Sequence, residues 1–471
     1  MDTPNPATQL SWRDPDGFVI NFNGRILRAV SPAKVAEIRE LINEPWMAKL
    51  VGEGSLAQTE ELQEPPPVAA AGSWAWFEHD PLPFPCYPHE ITALQLFDSA
   101  DLTLRIAIEG AQNGWILKDA SAWNVLHSQG SPVFVDLLSF AKDDQSGIWV
   151  AYGQFVRHFL LPLLIYRKAG MMPSDLFLIQ REGISPEQAY DLLPGLSRLS
   201  PTALELVLLP KLLAGTGNRA IAAQTGRKVR TFDADMGGEL LLRTLGRLRR
   251  ILERLRPKES DTTRSVWEKY EEERHHYTDA DLSVKTEFVA RAIQPGQSIL
   301  DLGCNAGEFS LLAAESGKTV VSADSDHPAL SRLYARIRGK KLSVAPVLFN
   351  IGRPTPAVGW LNTEIASVLE RSINRFDCVL ALGLIHHLLV TERATLSMVV
   401  DFLALLNPRR VVLEWVDPLD PKFQQIAGLN RHLYQHLTCA DLEESMSIKF
   451  CLADKLTLPC GTRVMYLWVQ D

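Results

Sequence analysis

Beyond residue 280 the chain changes rhythm: short apolar runs alternate with stretches of helical periodicity, which predicts repeated βα units and a mostly parallel sheet. The first run, Ile299-Leu300-Asp301-Leu302, leads into a glycine-bearing turn and then an amphipathic stretch; another, 319–324 (TVVSAD), ends in an acid. Ahead of them Leu241, Leu245, Leu248, Leu252 and Leu255 recur at four-three spacing, with Arg243, Arg247, Arg249, Arg250 and Arg254 covering much of the rest. This pattern predicts an amphipathic helix that packs on the domain before it. In Ser185-Pro186 and Ser200-Pro201 a serine N-cap precedes a proline at the first helical position, so much of 150–255 is expected to be helical.

A chain of 471 residues exceeds the ~250–300 residues at which one core stops growing, so more than one domain is expected. The composition breaks at 61–71 (ELQEPPPVAAA), around 215–230 and at 256–264. The expected division is an α+β domain over 1–240, an amphipathic linker helix over 241–264 and an α/β domain over 265–471. Hydrophobic residues at 46% and charged residues at 22% are those of an ordinary globular protein. A formal charge of −8 disfavours a general nucleic-acid binder, which needs a basic face. The start shows no secretory signal, and the longest apolar run, 159–166, is too short to span a bilayer and contains Pro162. Cysteines 86, 304, 378, 439, 451 and 460 form no CxxC pair and read as incidental thiols, with no metal site expected. A cytoplasmic protein without membrane partners is therefore expected.

The segment 298–310 (SILDLGCNAGEFS) carries the chemistry. A strand runs into Gly303 and Gly307, where the backbone turns and admits a ligand without a Cβ in the way. Its spacing is Asp-x-Gly-x-x-x-Gly, not the Gly-x-Gly-x-x-Gly of dinucleotide binders. Asp301 offers negative charge to a cationic ligand. Asp324, ending the next apolar run, follows it by 23 residues. This succession resembles the class I S-adenosylmethionine-dependent methyltransferases over roughly 265–471, which implies a Rossmann-like seven-stranded sheet and S-adenosyl-L-methionine as cofactor.

In that resemblance Asp301, Gly303, Asn305 and Gly307 form the cofactor loop. Asp324, with Ser325 beside it, accepts hydrogen bonds from the ribose hydroxyls; Asp326 is a near neighbour able to share that role. Asn350 meets the adenine amino group, where the family often has Asp, and Phe349 or Ile351 packs on the ring. Ala381 and Leu382, within 380–383 of the fourth strand, pass beside the cofactor. Residues 409–415 fit the fifth strand, and 447–456 with 463–469 the closing antiparallel hairpin. After the fourth strand, His386 and His387 line the site. Either is a candidate base for an acceptor hydroxyl or amine, because imidazole titrates near neutral pH; capping or packing is the alternative. Glu414, Trp415 and Asp417 are candidates for substrate contact. The aromatic stretch 267–277 and the loop 352–360 are expected to cover the pocket, with Tyr277 or Lys285 near the cofactor carboxylate.

In the N-terminal half, Asp119, Asn124 and Asp136 stand at a spacing that resembles the catalytic and metal-binding loops of protein-kinase-like and aminoglycoside-phosphotransferase-like folds. There the first Asp orients an acceptor hydroxyl, and the Asn and second Asp hold magnesium. No His precedes Asp119, no Gly follows Asp136, and no Gly-rich loop with a strand lysine lies upstream, so a degenerate kinase-like lobe that binds substrate or partner is expected. The function expected overall is O- or N-methylation of a small-molecule acceptor, with the N-terminal domain aiding recognition. A non-catalytic cofactor-binding regulator, or a methyltransferase acting on protein or RNA, stays open beside it. No Asn-Pro-Pro-Tyr base-flipping motif follows the fourth strand.

Overall fold

A computed structural model describes residues 7–11, 14–67, 74–215, 234–258 and 277–470. The composition break at 216–230 and the aromatic stretch at 267–276 lie outside the described residues. The chain forms two compact units, Met1–Asp261 with Gly359–Glu364, and Thr262–Val358 with Ile365–Asp471.

The first unit opens with five strands, β1 (Ala7–Ser11), β2 (Gly17–Phe22), β3 (Arg25–Val30), β4 (Thr59–Glu61) and β5 (Ala75–His79), in an antiparallel sheet of order β1-β2-β3-β5-β4. One face buries Ile20, Leu27, Ala29 and Trp76. Helix Ala93–Gln112 follows; Thr92 caps it by accepting from the Gln95 N–H while Gln95 reaches back to the Thr92 N–H. Beyond it come β6 (Trp115–Leu117), the hairpin of β7 (Val125–Ser128) and β8 (Ser131–Phe134), and β9 (Phe140–Lys142), which pairs with β6. The serine–proline signals start helices as their chemistry dictates: Ser185 caps Pro186–Leu192 and Ser200 caps the turn beginning at Pro201.

The leucine stripe lies on helix Ala234–Arg254 and its C-terminal turn, and packs on helix Ala93–Gln112 within the first unit. Leu241, Leu245, Leu248, Leu252 and Leu255 are all buried, and Arg249 pairs with Asp101 of the partner helix at 3.3 Å. The helical part of the segment read as a linker is thus counted with the first unit, because its apolar face finds a partner there. Leu248 has no exposed surface. Leu248→Ala is expected to cost about 2–5 kcal/mol through lost transfer energy and the cavity left behind, read by chemical denaturation of the full chain.

The second unit is built on β10 (Ser298–Leu302), β11 (Thr319–Asp324), β12 (Val344–Leu348), β13 (Cys378–Ala381), β14 (Arg410–Val416), β15 (Cys451–Thr457) and β16 (Arg463–Val469). Their order is β12-β11-β10-β13-β14-β16-β15, parallel except for the last two strands. Strands buried on both faces explain the near-continuous apolar runs of the sequence. Asp377 ties two strand starts together, its Oδ2 accepting from the N–H groups of Gln297 and Ser298 and from the Ser298 hydroxyl. Both sheet edges carry irregularities: β12 contains Pro346, and β15 has a register shift between Leu452 and Asp454 beside the charged pair Asp454 and Lys455. Because the order reverses between β10 and β13, a crevice is expected outside their carboxyl ends.

Candidate functional site

At the carboxyl end of β10 the chain turns through Gly303 (φ +68°), Asn305 (φ +51°) and Gly307 (φ +78°) before entering helix Glu308–Glu315. A Cβ on Gly303 would stand 3.0 Å from the Leu384 side chain, and one on Gly307 would overlap Leu333. These glycines therefore serve both the left-handed turn and the close packing around it.

The loop lies against two carboxylates, the buried Asp301 and the half-buried Asp324. Asp324 accepts the Asn305 N–H at Oδ2 and the Asp326 N–H at Oδ1, both at 2.8 Å. Asp301 accepts the Ser310 hydroxyl at 2.6 Å, and Ser310 in turn accepts from Ser322 at 2.7 Å. Burial pushes the Asp301 carboxyl up to about 7, against the Ser310 hydrogen bond; the charge of Asp324 pushes the same way and that of Lys285 opposes it. Burial likewise pushes Asp324 up to about 6. Asn305 Oδ1 is buried without a hydrogen-bond partner. Two acids held above their ordinary range, beside an unsatisfied amide oxygen, suit a ligand that brings positive charge and hydroxyl donors. The residues fit S-adenosylmethionine, which carries an ammonium, a sulfonium and a ribose diol.

The remaining cofactor-side residues gather nearby or are taken up otherwise. Asp326 caps helix His327–Ile337, accepting from the Ala329 N–H. The Ser325 backbone is a further donor to Asp324. Asn350 lies just beyond β12 and its Oδ1 accepts from the Arg353 N–H; Phe349 is buried and Ile351 half-buried. Ala381 pairs in register with Leu302, which brings Leu382 and the following turn to the glycine loop.

That turn opens helix Ile385–Val390, which carries both histidines. Their rings lie 4.2 Å apart, and the His386 ring stacks 6.1 Å from that of Phe423. His386 is 1% exposed, and neither ring nitrogen has a hydrogen-bond partner. Burial holds its pKa well below the usual value, helped by His387, Arg463, Lys422 and Lys285; burial takes half-buried His387 down to about 4. Both rings are therefore neutral near pH 7.

Behind them lies a buried ionic network that the sequence did not reveal. Lys285 Nζ donates to Glu414 Oε2 at 2.7 Å and to the Tyr277 hydroxyl at 3.1 Å, while that hydroxyl donates to Glu414 Oε1 at 2.6 Å. Arg463 donates to Tyr277 and approaches Glu414 Oε1 at 3.5 Å, and its Nε donates to Asp420 at 2.9 Å. Burial pushes the Glu414 carboxyl up, but Lys285 and Arg463 outweigh it and hold it below its ordinary range. Tyr277, Lys285 and Glu414 were singled out separately; their meeting, and the parts of Arg463 and Asp420, were not. Beyond the histidines, Leu389 and Val390 line a pocket of about 560 Å³ with Arg393, Ala427, Asn430 and Tyr434.

In the first unit, Asp119, Asn124 and Asp136 share one polar cluster. Asn124 donates to Ser139 at 2.9 Å and Ser139 to Asp136 Oδ2 at 2.5 Å, while burial, reinforced by the Asp136 charge, raises Asp119. Asp136 forms a 2.8 Å ion pair with Arg28 of β3, and Arg28 Nε donates to buried His79 at 3.1 Å. No local motif announces this cation. Among the described residues, no group of three or more His, Cys, Asp or Glu is placed to hold a metal ion.

Residues 270–448 match a family model described as a methyltransferase domain. Over its whole length the chain is similar to the nodulation protein NoeA of Rhizobium meliloti (strain 1021), 26% identical over 466 residues, which covers 98% of this chain and 95% of that protein. Among solved structures it is similar to the magnesium protoporphyrin IX methyltransferase ChlM of Synechocystis PCC 6803, solved with bound SAH, at 15% identity over 43% of this chain and 94% of that one, with a TM-score of 0.30. It is also similar to the N-methyltransferase NodS of Bradyrhizobium japonicum WM9, at 12% identity over 41% of this chain and 98% of that one, with a TM-score of 0.31. The strand order, the glycine loop with its two acids and the family match agree: the C-terminal unit is a class I S-adenosylmethionine-dependent methyltransferase domain, and the protein is a methyltransferase that uses this cofactor.

Proposed function

We propose that the protein methylates oxygen or nitrogen of a small-molecule acceptor, and that its N-terminal unit contributes to recognition. The observation that supports this most is the convergence of Gly303, Asn305 and Gly307 with the carboxylates of Asp301 and Asp324 at one end of the sheet. When bound, the cofactor supplies a methyl group activated by the positive sulfur. In this reading Asp324 holds the ribose hydroxyls, Asp301 and Lys285 set the charge around the amino-acid end, and Asn350 meets the adenine. The turn 382–387 orients the acceptor, and His386 or His387 takes up a proton where the acceptor carries one. The negative net charge of −8 argues against a nucleic-acid target. The likeness to NoeA spans both units, which supports their acting as one device. Release of S-adenosylhomocysteine in the presence of candidate acceptors tests the reading: turnover with a small molecule supports it, and methylation of only protein or RNA would overturn it.

A further inference from the structure

The spacing of Asp119, Asn124 and Asp136 implies a magnesium ion held by Asn124 and Asp136, and the residues around them do not fit one. Both carboxylate oxygens of Asp136 are engaged, Oδ1 by Arg28 Nη1 at 2.8 Å and Oδ2 by the Ser139 hydroxyl at 2.5 Å. Because that hydroxyl gives its proton to Asp136, it accepts from Asn124, and the Asn124 amide reaches the Asp119 carboxylate as well. Asn124 therefore meets the cluster as a donor, whereas magnesium takes oxygen ligands. Asp119 Oδ1 is occupied in turn by the Ser121 N–H at 2.9 Å.

Arg28 is itself built in. It lies on β3 with 6% of its surface exposed, and each of its side-chain nitrogens has an acceptor. Nη1 meets Asp136, Nη2 the Val135 carbonyl at 3.4 Å, and Nε the His79 ring at 3.1 Å. A guanidinium only donates, so His79 Nε2 accepts and the ring proton sits on Nδ1, 2.7 Å from the Thr59 hydroxyl. That hydroxyl donates onward to the Ala57 carbonyl at 3.2 Å. Strands β3 and β5 and the turn after β8 thus fix one positive charge against Asp136. We infer that Arg28 is a resident cation in the place a divalent metal would take, and that the N-terminal unit meets its ligand without a metal ion. A divalent ion on Asp136 would face the guanidinium at close range, with little water between them to screen the repulsion. Removing a guanidinium that balances a buried carboxylate leaves that charge in want of a counter-ion. Without Arg28, Asp136 and Asp119 are free to take one up from solution. A phosphorylated ligand has, in the parent, no metal bridge through which this unit could hold it. This inference concerns the first unit alone and stands apart from methyl transfer in the second.

The test is manganese binding to the full chain, read by loss of the free ion's paramagnetic resonance signal. The parent is expected to take up no more manganese than Asp136→Asn or Asn124→Ala. Arg28→Gln, checked for folding by circular dichroism, is expected to bind one manganese ion at least tenfold more tightly than the parent. Adding Asp136→Asn to Arg28→Gln should abolish that gain. A manganese site in the parent that Asp136→Asn or Asn124→Ala removes overturns the inference, and so does a folded Arg28→Gln that gains none. Should Arg28→Gln not fold, the parent measured against Asn124→Ala, which forgoes only the amide's hydrogen bonds, decides the matter alone.

Discussion

Asp301→Asn is expected to leave the unliganded protein at least as stable as the parent at about pH 8, while weakening S-adenosylmethionine binding by a factor of ~30 or more. The affinity loss follows from removing one partner of a buried charge interaction, worth ~2–5 kcal/mol, where each 1.4 kcal/mol is about tenfold. The stability expectation follows from linkage. Burial raises Asp301 to about 7 and Asp324 to about 6, so between about pH 4 and these values the folded protein keeps protons that the unfolded chain has released. Stability before the ligand binds therefore falls as pH rises through that window. A cationic ligand favours the carboxylate form, reverses the trend and expels protons on binding. Calorimetry in buffers of different ionisation enthalpy should show proton release near pH 6, and the ligand-induced rise in melting temperature should be larger at about pH 8 than at about pH 5.5. A pH-independent rise in the parent, or a full rise in Asp301→Asn, would contradict this account.

The second large effect concerns stability. Glu414 has no exposed surface and holds Lys285, Tyr277 and Arg463 together. Breaking a buried pair by removing one partner costs ~3–5 kcal/mol, because the cations left behind have lost both water and counter-charge. At ~2–4 °C per kcal/mol for a unit of this size, Glu414→Ala should lower its melting temperature by roughly 6–20 °C. Arg463→Met should also be costly, because it takes the guanidinium away from the buried Asp420 carboxylate while Lys285 still balances Glu414. A drop under ~2 °C for Glu414→Ala, measured by calorimetry, would show that the network contributes little.

What the sequence disclosed and what it hid divide along a physical line. Ser185, Ser200, Gly303 and Gly307 act on backbone within a few residues of themselves, so local chemistry reveals them. The seven-stranded, mostly parallel sheet of the second unit followed from the succession of apolar runs and the resemblance they carry. By contrast, Lys285 and Glu414 are 129 residues apart, and Arg28 reaches His79 across 51, so only the folded sheets bring these charges together. No motif announces that His386 lacks partners, because that depends on what every neighbouring element fails to offer. The leucine stripe of 241–255 announced packing on the domain before it, as the structure has it, without saying which helix supplies the partner.

The two irregular margins of the seven-stranded sheet bear on how the protein behaves when concentrated. Pro346 cannot donate a backbone hydrogen bond, and the kink beside Asp454 and Lys455 throws the opposite strand out of register with any flat neighbour. A second molecule approaching either rim would find no continuous ladder to extend. Crowding should therefore not stitch these sheets into ribbons, and a lysine-free, proline-free rim engineered at these positions is where fibrous association would first begin.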